Sequence, residues 1–111
     1  MRDKKLYAQD IIESIDAIFE HIEGYEFDEF KNDRKTYQAV LKEFEIIGEA
    51  MKNIKDEFKR CCNDFDYRPV IAFRNVLVHE YFGIRFKTVW DLIFYELPKL
   101  KKTIEKLIKE L

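Results

Sequence analysis

Glycine and proline are scarce, three and two in 111 residues, so the chain is neither a linker-rich nor a collagen-like polypeptide. Cysteine is almost absent. The only two, Cys61 and Cys62, are adjacent, and neighbouring backbone does not easily reach disulfide geometry. There is no CxxC pair and there are only two histidines, which leaves a metal site little to stand on. No apolar run approaches the roughly 20 residues needed to span a membrane. The opening stretch MRDKKLYAQD lacks the apolar segment of a secretion signal. Excess positive charge is missing too: the formal net charge is −2, which excludes a globally basic nucleic-acid binder. Any RNA contact has to be local and transient, or set up by an assembled oligomer. A reduced, cytoplasmic protein is the expectation.

What the chain does have is charge and apolar residues in helical order. Hydrophobic residues make up 47% and charged residues 38%, a balance that suits a globular α-protein and not a disordered one. The length suits one domain, residues 1–111, able to bury a core without disulfides or metal. Over residues 4 to 23, Ala8, Ile11, Ile12, Ile15, Ile18, Phe19 and Ile22 recur at helical spacing, and Gly24 ends the run. YEFDEF, residues 25 to 30, reads as a connecting turn or a single helical turn. Asn32 or Asp33 can then cap a long helix to about Arg60. Its stripe is Tyr37, Val40, Phe44, Ile47, Met51, Ile54 and Phe58, widened by Leu41 and Gly48. Glycine inside a helix costs about 1 kcal/mol relative to alanine, so Gly48 suggests close approach by another helix.

After the polar break CCNDFDY, Asp66 can cap a third helix carrying Val70, Ile71, Phe73, Val76, Leu77 and Val78, ending near Gly83. A last helix begins at about Lys87, with Trp90, Ile93, Leu97, Leu100, Ile104, Leu107, Ile108 and Leu111 facing inward. Pro98 within it predicts a kink or short break. Four substantial helices and short connections make an all-α, up-and-down four-helix bundle with a short additional helical turn.

The third helix is odd. Its oily run RNVLVHEYFG contains Arg74, Asn75 and His79, none of which a bundle needs, and unpaired buried charge costs several kcal/mol. Histidine carries protons near neutral pH, and arginine offers a planar, permanently charged fork for phosphate oxygens. Together they supply a proton carrier and an anion clamp, the requirements of metal-free phosphodiester chemistry. Asn75 and His79, four apart, share a helix face. Arg74 and His79, five apart, diverge by roughly 140° at about 100° per residue. Bringing them together needs a wrapped side chain, a loosened helix or a second protomer. An arginine paired with a glutamate and a core histidine satisfied by a carbonyl would explain the same letters.

RNVLVHEYFG resembles the signature of the HEPN superfamily, and Arg, four residues, His, any residue, Tyr resembles that of its HepT-like branch. Arg74, His79 and Tyr81 match in place. The likeness extends to RDKKLYAQDIIESI, DRKTYQAVLKEFEIIGEA and VWDLIFYELPKL. One departure is Ala72-Phe73 before Arg74, where many relatives carry Gly-Met; it touches packing and removes no functional residue.

The resemblance implies a homodimeric HEPN-like bundle that acts as a toxin of a type VII toxin–antitoxin pair. It implies a metal-independent ribonuclease needing no cofactor. The partner it implies is an MntA-like minimal nucleotidyltransferase antitoxin, which transfers AMP to the motif tyrosine, here Tyr81. Arg74 and His79 are then catalytic and Asn75 supporting. Because one histidine cannot readily be base and acid at once, two facing copies have a chemical rationale. His21, the second histidine, is expected on the surface. Lys99, Lys101, Lys102, Lys106 and Lys109 could attract RNA or an acidic partner, and a solvated helix face accounts for them as well. The competing class is a non-catalytic helical subunit that binds a nucleotidyltransferase and presents substrate to it.

Overall fold

The Asp3 carboxylate accepts from the Lys5 amide at 3.0 Å and starts the first helix, α1, Lys4–His21. This computed structural model describes residues 2–66, 83 and 85–111. Ala8, Ile11, Ile15 and Ile18 of α1 are buried, as the spacing predicts. Gly24, at φ +79°, takes the left-handed conformation that lets the chain turn. An added Cβ there would meet nothing within 4 Å, so its role is in the backbone and not in packing.

YEFDEF supplies most of α2, Phe27–Asn32, somewhat more than one turn, with Phe30 buried beneath it. The Glu29 side chain accepts from the Glu26 amide at 3.0 Å, holding the first turn. Of the two candidate caps for the next helix, Asp33 is the one used: it accepts from the Thr36 amide at 3.3 Å and opens α3, Arg34–Asn53. Asn32 instead donates back to the Asp28 carbonyl at 2.8 Å.

The long second helix expected to reach Arg60 is broken at Ile54, and α4, Lys55–Cys61, follows. The cause is competition for one carbonyl. In an unbroken helix the Asn53 oxygen would accept from the amide four residues on. Here the Lys4 ammonium donates to it at 2.6 Å, and the Ile54 amide tightens back onto the Met51 oxygen at 3.3 Å. Ile54 and Phe58 are fully buried on either side of the joint.

The last helix is also two: α5, Phe86–Tyr95, and α6, Leu97–Glu110. The break falls at Glu96 because Pro98, in the first turn of α6, has no amide hydrogen to give back. Leu97, Leu100, Ile104 and Leu107 form the inner stripe of α6, and Val89 and Ile93 that of α5. Trp90 and Ile108 are partly buried and pack against this core; one expectation needs correction, since Leu111 is exposed.

α1 runs antiparallel to α3, since Lys4 meets Asn53 at one end, and α6 packs along α1, where Lys101 meets Asp16 at 2.7 Å. Each fully buried Ile, Leu or Phe in this core contributes about 1.5–3 kcal/mol relative to exposure. Gly48 is among the buried residues of α3. All regular structure among the described residues is helical, the all-α class expected of a HEPN-like bundle. The third helix expected from the sequence lies outside the described residues.

Candidate active site

Arg74, Asn75, His79 and Tyr81 fall within residues 67–82, outside the described residues. What is described are the two flanks of that stretch. On the N-terminal side α4 ends at Cys61, and the Phe65 ring packs edge-on against Phe58 with centroids 5.4 Å apart. Cys62 is buried there, its Sγ 3.9 Å from the Thr103 carbonyl of α6. On the C-terminal side Gly83 and Arg85 are exposed, and Phe86 opens α5. Its ring sits 4.8 Å from that of Tyr37 and 6.3 Å from that of Phe30. Tyr37 lies in the first turn of α3 and Phe58 beyond its far end, so the flanks stand at opposite ends of the bundle. At 1.5 Å per residue, the span of α3 from Tyr37 to Asn53 alone is about 24 Å.

The C-terminal flank is rich in rings. Trp90 packs against Phe30 at 5.2 Å and Phe94 at 5.0 Å, and Phe94 meets Phe19 edge-on at 6.0 Å. Lys31 and Lys87 reach over the Phe27 ring at 5.8 and 5.4 Å. These rings hold α1, α2 and α5 together at the end where the chain re-enters after residue 82. Sequence periodicity placed Phe19 and Trp90 on inner stripes but read Phe27 and Phe30 as part of a connecting turn or single helical turn and did not single out Phe94.

Burial, reinforced by Cys62 and the Glu110 carboxylate, pushes the Cys61 thiol up to about 12, so it is no nucleophile at neutral pH. His21 is exposed in the last turn of α1, as expected. Glu43 lies within its electrostatic reach; burial raises the Glu43 carboxyl above its ordinary value, and His21 and Lys42 oppose that. An open pocket of about 220 Å³ between α1 and α3 is lined by Arg2, Tyr7 and Asp10 on one side and by Lys42, Glu45 and Glu49 on the other. Its arginine is already engaged, bonded to Asp10 at 2.5 Å and lying 4.9 Å over the Tyr7 ring. No helix among the described residues is long and apolar enough to cross a membrane.

Compared with known proteins, residues 11–107 match the family model described as ribonuclease HepT-like. The chain belongs to that family. A relative from Thermococcus cleftensis, named "Probable ribonuclease HepT", is 40% identical over 108 residues, covering 97% of this chain and 98% of its own. A protein of Methanocaldococcus jannaschii that carries the provisional name of an RNase is 36% identical over 99% of this chain and 91% of its own. Another, from Caldanaerobacter subterraneus subsp. tengcongensis and provisionally named in the same way, is 29% identical over 99% of this chain and 98% of its own. No solved structure matches significantly. The HepT-like family is thus recognised over nearly the whole chain, and the matched span contains positions 74–81.

Proposed function

We propose that this HepT-like chain is a metal-independent endoribonuclease, the toxin of a type VII toxin–antitoxin pair. The observation that carries the reading is the family match over residues 11–107, joined to the intact Arg74, His79 and Tyr81 set inside it. Relatives named as ribonucleases cover it almost end to end.

In this reading His79 takes the proton of a ribose 2′-hydroxyl, or gives one to the leaving 5′-oxygen. The 2′-oxygen forms a bond to phosphorus as the bond from phosphorus to the 5′-oxygen breaks. Arg74 holds the phosphate and offsets the charge that grows in the transition state. Asn75 orients His79 or binds a phosphate oxygen. A homodimer supplies two imidazoles to one linkage, so one copy's His79 serves as base and the other's as acid. A helix over residues 67–83, as the sequence suggests, would rise about 25 Å, comparable to the separation of the flanks.

An MntA-like nucleotidyltransferase in the cytoplasm would silence the enzyme by transferring AMP from ATP to the Tyr81 hydroxyl, with pyrophosphate leaving. The adduct adds bulk and negative charge two residues from His79 and competes for Arg74. Incubating the pure protein with that partner and ATP, and weighing the product, tests this. The expected result is a gain of whole AMP units, lost in Tyr81→Phe, with RNA cleavage falling as the mass rises. A gain that persists in Tyr81→Phe would put the modification elsewhere.

A further inference from the structure

The outer face of α6 carries a cationic stripe. Lys99, Lys102, Lys106 and Lys109 are all exposed and form no ion pair among the described residues. Lys101, also noted in the sequence, belongs elsewhere: it is bonded to Asp16 of α1 at 2.7 Å, and that contact raises its pKa. Of the nearby acids, Glu110 bonds to Cys61, and Glu105 is exposed at the flank of the stripe, where its charge acts on Lys101.

The stripe continues across the Pro98 break. The Glu96 amide donates to the Leu92 oxygen at 3.0 Å, and the Leu100 amide donates to the Glu96 oxygen at 3.0 Å. Glu96 thus ends α5 and opens α6 with its backbone in the right-handed helical region (φ −107°, ψ −39°), which keeps Tyr95 approximately in register with the lysines. Positions 95, 99, 102, 106 and 109 step by four, three, four and three, which keeps them within an arc of about 80°. That arc lies opposite Leu97, Leu100, Ile104 and Leu107. At 1.5 Å per residue the track is about 21 Å long. Tyr95 is 68% exposed, the most exposed large hydrophobic side chain among the described residues, so its ring is accessible to a ligand.

We infer that Tyr95, Lys99, Lys102, Lys106 and Lys109 form a binding track for single-stranded RNA, on which the lysines follow successive phosphates and the tyrosine stacks on an unpaired base. A ring with a free face recognises a base only where the base is unstacked, which selects single strand over duplex. In a chain of net charge −2, gathering four unpaired cations on one face gives local attraction to a polyanion without general basicity. The inference rests on the ribonuclease reading for its choice of RNA, but it concerns binding and uses none of the residues proposed for cleavage.

The test is fluorescence anisotropy with a short 2′-O-methyl single-stranded oligonucleotide, which lacks the 2′-hydroxyl and cannot be cut by the proposed route. For the full chain, the affinity should fall steeply with salt. The variant combining Lys99→Gln, Lys102→Gln, Lys106→Gln and Lys109→Gln should flatten the slope of log K against log salt by up to about 2.8, at about 0.7 per phosphate. Lys102→Gln alone should flatten it by about 0.7, which keeps the test sound if the fourfold variant folds poorly. Tyr95→Ala should weaken binding by about tenfold, with the salt slope unchanged.

Slopes and affinities equal to the parent's in all variants overturn the inference. So does displacement of the oligonucleotide by poly-glutamate at equal affinity with Tyr95→Ala neutral, which would mark a dock for an acidic protein. Cleavage of ordinary RNA by the parent is scored separately. A parent that cuts but shows no effect of the track variants refutes the track alone. A parent that binds through the track yet never cuts refutes the nuclease reading alone.

Discussion

The Tyr25 hydroxyl donates to Asp33 Oδ2 at 2.5 Å, tying the turn after α1 to the residue that caps α3. The same carboxylate accepts from the Thr36 hydroxyl at 3.0 Å and the Thr36 amide at 3.3 Å. The bond from Tyr25 is the foremost reason that Asp33 sits below the usual carboxylate range. Folding lowers this pKa, so the stabilisation is fully present above the unfolded value, about 3.9, and is lost as pH falls through the folded one. Asp33→Ala should lower Tm at neutral pH, because it removes the cap of α3. In Asp33→Asn the decline in Tm below about pH 4 should be shallower than in the parent. An identical acid limb in Asp33→Asn would show that the carboxylate is not the group responsible.

Lys4 acts over a longer distance in sequence. If its bond to the Asn53 carbonyl holds the joint between α3 and α4 open, Lys4→Met should let the amide of residue 57 compete for that oxygen. Hydrogen exchange at Ile54 to Phe58 should then change more than exchange in the middle of α3, with a stability change within about 1 kcal/mol. Uniform exchange along both helices would separate Lys4 from the break.

The Cys61 thiol, raised to about 12, should stay protonated through the neutral range. Alkylation of the native protein by iodoacetamide at about pH 8 should be many-fold slower than that of a free cysteine, whose pKa is about 8.5. Unfolding in urea should restore the ordinary rate. Rapid labelling of the native chain at Cys61 would contradict the assignment.

Parts of the fold that depend on local chemistry were legible in the sequence. Gly24 and the cap at Asn32 or Asp33 act through their own backbone and side chains, so letters and spacing were enough to place them, though not to choose Asp33. The break at Ile54 was not legible, because it depends on a lysine 49 residues away that the chain's own path brings to Asn53. The kink near Pro98 was read correctly, yet the approximate register of Tyr95 with four lysines needed the backbone angles of Glu96 at the joint. For the site the sequence supplied residue types, with a spacing that leaves Arg74 and His79 on diverging helix faces. Only the family likeness joins them, since all four positions lie outside the described residues.

The central claim is that His79 moves the proton in RNA cleavage without a metal. It is tested most directly by incubating the purified chain and its His79→Ala variant with RNA in excess EDTA and analysing the product ends. The account predicts that the parent yields 2′,3′-cyclic phosphate and 5′-hydroxyl ends. It also predicts that the variant, with an unchanged circular dichroism spectrum, cleaves about 10²–10⁴-fold more slowly. Equal cleavage by both proteins, or cleavage by the parent that stops when EDTA is added, would contradict it.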